Sequence, residues 1–143
     1  MTFSVERLVL LQRLYRLLTR TALALGDMTL IESACLALAA QREEGATAAD
    51  AATILSIERA QLDGAVALLE GREQVCWERS SRDRRTFAFR ITAKGSEAAA
   101  FLDEALAIAL INRSRFLTEE GFDRLVSLLH QCFAGVESGS DTC

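Results

Sequence analysis

Apolar positions fall into two periods along this chain, and the change of period divides it. From Ser4 to about Leu25 they recur at helical spacing, at Leu8, Leu11, Tyr15, Leu18, Ala22 and Leu25. Val9, Leu10, Leu14, Leu17 and Leu23 widen that surface past a single stripe, so this helix needs cover on more than one side. Ser4 is placed to cap it and Gly26 to end it. Arg13, Arg16 and Arg20 share the remaining face, which reads as solvated or salt-bridged. Thr29-Leu30-Ile31-Glu32 has the form of a complete capping box and opens a second helix to about Glu44, closed by Gly45. Its core positions are Ile31, Ala34, Cys35, Leu38 and Ala39. Thr47 caps a short helix over Ala48 to Leu55, with Asp50 in its first turn. Ser56 is expected to cap a fourth helix, to about Glu70, that buries Leu62, Ala65, Val66 and Leu69.

The period then drops to two. Val75 and Trp77, then Phe87, Phe89 and Ile91, alternate as the half-buried strands of a hairpin. Between them lies a polar tip, Arg79 to Arg85, without proline or glycine. Helical spacing resumes at Thr92, which caps a helix to about Arg113 with apolar positions Ala98, Phe101, Leu102, Ala105, Leu106, Ala109 and Ile111. After a break at Asn112 to Leu117, Thr118 caps the last helix, with Leu117 and Phe122 spaced as a hydrophobic staple. Phe122, Leu125, Val126, Leu129, Cys132 and Phe133 form its core stripe. Gly135 to Cys143 is small and polar and is expected to be a disordered tail.

Capped helices joined by turns of a few residues and followed by a β-hairpin make a winged helix-turn-helix. The predicted fold class is therefore mainly α: a winged helix-turn-helix with a two-stranded β-wing and flanking helices that form a dimerisation region. The segments are 1–28 (N-terminal dimerisation helix), 29–92 (DNA-binding unit), 93–134 (C-terminal dimerisation helices) and 135–143 (tail).

Charge sharpens that picture. The chain carries a formal net charge of −4, yet Arg79 to Arg90 sets five arginines against the single acid Asp83. A protruding basic hairpin suits a phosphate backbone or a narrow groove. No run of apolar residues is long enough to span a membrane. Glu6 and Arg7 interrupt the first apolar run, which argues against a signal peptide. Cys35, Cys76, Cys132 and Cys143 form no C-x-x-C pair, so free thiols in a reducing cytosol are the simplest account. No phosphate-cradling glycine loop, nucleophile elbow or H-E-x-x-H motif is present, and the single histidine, His130, has no local catalytic partner. An enzyme is not expected, nor a metal or other cofactor.

Ser56-Ile57-Glu58-Arg59, Leu68-Leu69-Glu70, Asp83-Arg84-Arg85 and Ile91-Thr92-Ala93-Lys94-Gly95 stand in an order and spacing that resembles the MarR family of bacterial transcriptional regulators. The resemblance covers roughly residues 29–100, and the long flanking helices also look like that family's dimerisation helices. It implies a cytoplasmic homodimer, expected to be a repressor, that binds double-stranded DNA and is released by a small amphipathic effector. Two-fold symmetry then implies a pseudo-palindromic site with half-sites ~34–36 Å apart. Leu8, Leu11, Tyr15, Leu102, Leu106, Phe122 and Leu129 are the expected dimerisation residues.

The recognition helix departs from the family pattern. Its groove-facing stripe is Ala60, Gly64, Ala67 and Gly71, flanked by Gln61 and Asp63, where family members usually carry a hydroxyl and a basic residue. Small residues there would admit the backbone close to base edges. Gln61 is then the expected hydrogen-bonding reader, with Arg59 on phosphate and Gly64 at the closest approach. In the wing, Arg79, Arg82, Arg84 and Arg85 are the expected DNA contacts, with Asp83 orienting a neighbouring arginine. The alternative is a winged-helix protein-interaction module that has lost sequence-specific DNA binding, for which the bare stripe is the argument.

Overall fold

Threonine hydroxyls start most of the helices in the computed structural model, which describes residues 5–113 and 118–138. Thr29, Thr47, Thr92 and Thr118 each accept a hydrogen bond from the backbone N–H three residues on, at 3.2, 3.2, 3.0 and 3.1 Å. They open α2 (Leu30–Ala40), α3 (Ala48–Leu55), α5 (Ala93–Arg113) and α6 (Glu119–Ser138). α1 spans Val5–Gly26 and α4 spans Arg59–Gly71. The expected cap Ser4 and the staple residue Leu117 lie outside the described residues.

Several helix ends depart from the sequence reading. α1, α3 and α4 are closed by the left-handed residues Asp27, Ser56 and Glu73, none of them glycine. Ser56 therefore ends α3 instead of capping α4. Its N–H bonds Thr53 O at 3.2 Å and the Ile57 N–H bonds Ala52 O at 3.1 Å, a Schellman closure. Glu58 becomes the N-cap of α4. Gly26 makes room for a side chain, since a Cβ there would come within 2.6 Å of Leu102 Cδ2 and the leucine would have to shift. α6 continues to Ser138, so the helix takes in the first residues assigned to the tail.

α2 stops near Ala40, short of Glu44, because the N–H groups of Gln41 and Arg42 reach carbonyls three residues back and tighten the last turn. Gly45, at φ +82°, then turns the chain into a short strand, β1 (Ala46–Thr47). β1 joins β2 (Val75–Arg79) and β3 (Phe87–Ile91) in an antiparallel sheet of order β1-β3-β2. Ala46 faces Phe89, and Trp77 faces Phe89 from the other side. The two-stranded wing thus has a third strand at its base. Ala88 is buried beneath it, whereas Phe87, expected on the buried face, stands in the open.

Phe89, Leu36, Leu62, Leu69, Val66 and Cys35 are the largest fully buried side chains. They gather α2, α3, α4 and the sheet around one core. The Trp77 ring meets Phe89 edge-on, with centroids 5.6 Å apart. Glu32, the expected second half of the Thr29 capping box, is buried instead, with Oε2 3.8 Å from Arg72 Nη1. Arg72 also donates to Asp27 O at 2.8 Å, so it ties the end of α4 to the α1–α2 corner. Leu102 is 4% exposed and holds α5 against the core and Gly26. It is spent inside the chain and has nothing left to offer a dimer partner. Among the described residues no single helix is long and apolar enough to cross a membrane.

Two glycines on helices predict opposite responses to alanine. A Cβ on Gly95 would strike the Gln74 carbonyl, which accepts the Thr92 N–H, and backbone cannot swing aside. Gly95→Ala should cost about 2 kcal/mol or more. Nothing lies within 4 Å of a Cβ on Gly64, so Gly64→Ala should stabilise by up to about 1 kcal/mol. Urea denaturation midpoints of the two variants check both signs.

Candidate nucleic-acid interface

α4 buries Leu62, Ala65, Val66 and Leu69 and exposes Ala60, Gly64, Ala67 and Gly71, as its periodicity predicts. Its polar flank differs from expectation. The Gln61 side-chain oxygen accepts the Glu58 N–H at 3.3 Å and satisfies one of the first orphan donors of the helix. A bidentate contact with adenine needs both the oxygen and the nitrogen of the amide. Gln61 would have to surrender its capping bond to read a base. Arg59 is not free either: its Nε lies 3.1 Å from Asp63 Oδ1, one turn along.

A groove of about 650 Å³ runs between α4 and the wing. Arg59 and Asp63 line it from α4, Thr47, Ala48 and Ala49 from the start of α3, and Trp77, Arg85, Thr86 and Phe87 from the hairpin. The first turn of α3 forms this wall, with the Asp50 N–H capped by the Thr47 hydroxyl.

The hairpin tip is built by its own polar groups. Asp83 Oδ1 accepts the Arg85 N–H at 3.0 Å, and Asp83 O accepts both the N–H and the hydroxyl of Thr86 at 3.0 Å. Asp83 therefore shapes the turn through backbone, and among the described residues it pairs with no guanidinium. Ser80 N donates to Thr86 O at 2.9 Å and its hydroxyl receives the Arg82 N–H at 3.3 Å. These bonds do the work that glycine or proline performs in other turns.

Five arginines that form one cluster in sequence have separate duties here. Arg79 donates to Arg84 O at 3.2 Å and lies over the Phe87 ring at 5.6 Å, bracing the tip. Arg82 faces Glu44 at 3.4 Å and Arg90 faces Glu78 at 2.8 Å. Among the described residues Arg84 and Arg85 have no acidic partner, and both are exposed. Of the wing arginines they are the best placed to meet an external anion.

Two further surfaces lie away from this groove. A pocket of about 260 Å³ opens between α1, α2 and the α3–α4 turn, lined by Tyr15, Leu30, Ile31, Ala34, Leu55 and Ile57. No spacing rule joins residues from three elements, so only packing could reveal it. The other surface is apolar. Leu8, Leu11, Tyr15, Phe101, Ile108, Leu129 and Phe133 are all at least 45% exposed, on α1, α5 and α6. Leu106 and Phe122 are half-buried. Among the described residues no three His, Cys, Asp or Glu side chains gather as metal ligands.

The cysteines differ sharply in setting. Cys35 is fully buried, and desolvation, with Glu32 nearby, pushes its thiol up to about 11. Cys76 is half-buried and Cys132 exposed, while Cys143 lies outside the described residues. In folded protein at pH 8, Cys132 should be alkylated readily and Cys35 only as the core opens. A pKa raised on folding means stability present below pH 9 that is lost as pH rises toward about 11. Mass mapping of alkylated peptides and urea midpoints across that range measure both effects.

No protein-family model matches the sequence. No curated protein sequence matches it either. Solved structures do. A MarR-family transcriptional regulator from Rhodococcus sp. RHA1 superposes with a TM-score of 0.74 at 17% identity, over 92% of this chain and 96% of that one. CouR from Rhodococcus jostii RHA1, bound to p-coumaroyl-CoA, gives 0.70 at 17% identity, over 85% and 84%. The S. aureus MepR–DNA complex gives 0.66 at 17% identity, over 94% and 99%. Likeness of this extent at such low identity is a likeness of fold: the chain has the winged-helix fold of the MarR-family regulators.

Proposed function

We propose that this protein is a homodimeric DNA-binding transcriptional regulator of MarR type, acting as a repressor in the cytoplasm on a pseudo-palindromic site. The observation that carries the reading is the groove between α4 and the wing, lined on the wing side by Arg85, which has no acidic partner among the described residues, and bordered by the small, exposed stripe of α4. A neighbour of the same fold solved on DNA supports it. α4 would enter the major groove and the wing would follow the backbone or minor groove. The apolar pocket beside Tyr15 is the place we assign to a small amphipathic effector, a proposal supported by the ligand-bound neighbour. It touches both the flanking helix α1 and the α3–α4 turn, so an occupant could bias one against the other.

A second reading keeps some support. Leu68 is 53% exposed on α4, beside a stripe of small residues, and such a face also suits a protein partner. Titration with random-sequence duplex DNA at several salt concentrations separates the two. Arg84→Ala and Arg85→Ala should each weaken binding on all sequences alike and shallow the log–log salt slope by about 0.9. An unchanged slope in the double variant would remove the wing from the interface. Absence of duplex binding by the parent would favour the protein-partner reading.

The exposed leucines and phenylalanines of α1, α5 and α6 support a dimer. Leu11, 62% exposed, can accept a charge without damage to the protomer core. Leu11→Asp should therefore yield folded monomer, because the charge would be buried unpaired only in the dimer. Sedimentation at micromolar concentration checks it. A monomeric parent would refute the assembly.

A further inference from the structure

Building on the DNA-binding reading above, we infer that Arg59 and Asp63 work as one paired reader of a G·C base pair. Their ion pair, 3.1 Å from Nε to Oδ1, joins consecutive turns at the start of α4. The N-terminal turns of a recognition helix are the ones that meet base edges. The pair is engaged only through one atom of each partner, and the side chains are 60% and 54% exposed. Among the described residues the two terminal nitrogens of Arg59 and the second oxygen of Asp63 make no other polar contact, and both side chains line the groove between α4 and the wing.

That combination matches one base pair. In the major groove G·C presents the guanine acceptors N7 and O6, then the N4 donor of cytosine. A guanidinium spans the two acceptors, and a carboxylate beside it takes the donor. An A·T pair offers acceptor, donor, acceptor and then a methyl group, which leaves the carboxylate facing an oxygen. On a regular helix Asp63 lies about 70° from the centre of the Ala60–Gly64–Ala67–Gly71 stripe and Arg59 about 110° on the same side, towards the wing groove that both line, while Gln61 lies about 90° away on the opposite side. Gln61 also has its oxygen committed to the Glu58 N–H. The small stripe lets the backbone approach, and the pair is neutral as a unit. It adds no general attraction for DNA, and its contribution is discrimination.

The test starts from duplexes selected by the parent out of a random-sequence pool. Binding of the parent, Arg59→Ala, Asp63→Ala, the double variant and Gln61→Ala is measured on the selected duplex. Each G·C pair is then replaced in turn by A·T. The parent should lose about tenfold at one symmetric pair of positions. Both single variants should lose that preference at those same positions, and the double variant should lose no more than either. A 7-deazaguanine there removes the N7 acceptor, and should weaken the parent and leave Arg59→Ala unaffected. Circular dichroism melts confirm that the surface variants are folded. The inference is overturned if Asp63→Ala keeps every base preference and binds all duplexes more tightly, since Asp63 would then only repel phosphate. It is equally overturned if Gln61→Ala, and not Asp63→Ala, flattens the preference. A parent that binds no duplex at low salt would defeat the DNA-binding reading itself, and this inference with it.

Discussion

Phe89 meets three demands at once. Its backbone lies between Ala46 of β1 and Trp77 of β2, its ring is fully buried, and the Trp77 edge rests against it. The hairpin can project a polar tip into solvent only because its base is anchored this way. A two-stranded ribbon is marginal alone in water, and a third strand with a packed face supplies what it lacks. The same ring sits in one core with Leu62, Val66 and Leu69 of α4. The spacing between recognition helix and wing, and with it the groove, is therefore set by one hydrophobic contact region.

Electrostatics on this surface is a matter of local pairing. The chain is acidic overall, at −4, yet that sum says nothing of where a polyanion could settle. Asp63, Glu44 and Glu78 stand against Arg59, Arg82 and Arg90. Exposed pairs of this kind contribute little to stability. Their consequence is directional: they hold long side chains in place and restrict the unpaired charge of the wing to Arg84 and Arg85.

The flanking helices carry two kinds of apolar residue that a helical wheel cannot separate. Leu102 closes onto Gly26 and is consumed within the chain, while Leu8, Leu11 and Phe101 remain outside. All four obey the same spacing. Which of them is available to a second subunit depends on where α1 meets α5. At that crossing the bare Gly26 leaves the room that the Leu102 side chain occupies.

Helix count, the order of helix-turn-helix and hairpin, the buried face of α4 and the threonine caps were legible in the sequence, because each rests on local spacing or on a side chain reaching a few residues along. The candidate site was legible as a list: the wing arginines and the bare stripe are visible in one line of text. Their duties were not. Whether Arg79 braces the tip or meets an anion depends on Arg84 O and the Phe87 ring. Gln61 looked free because its capping partner, Glu58, becomes the N-cap only once Ser56 has turned left-handed to end α3. β1, two residues long, shows no alternation and exists only because β3 passes beside it. Local chemistry determined the elements of this protein. Contacts between residues distant in sequence decided which of its charges and apolar side chains remain available to a partner.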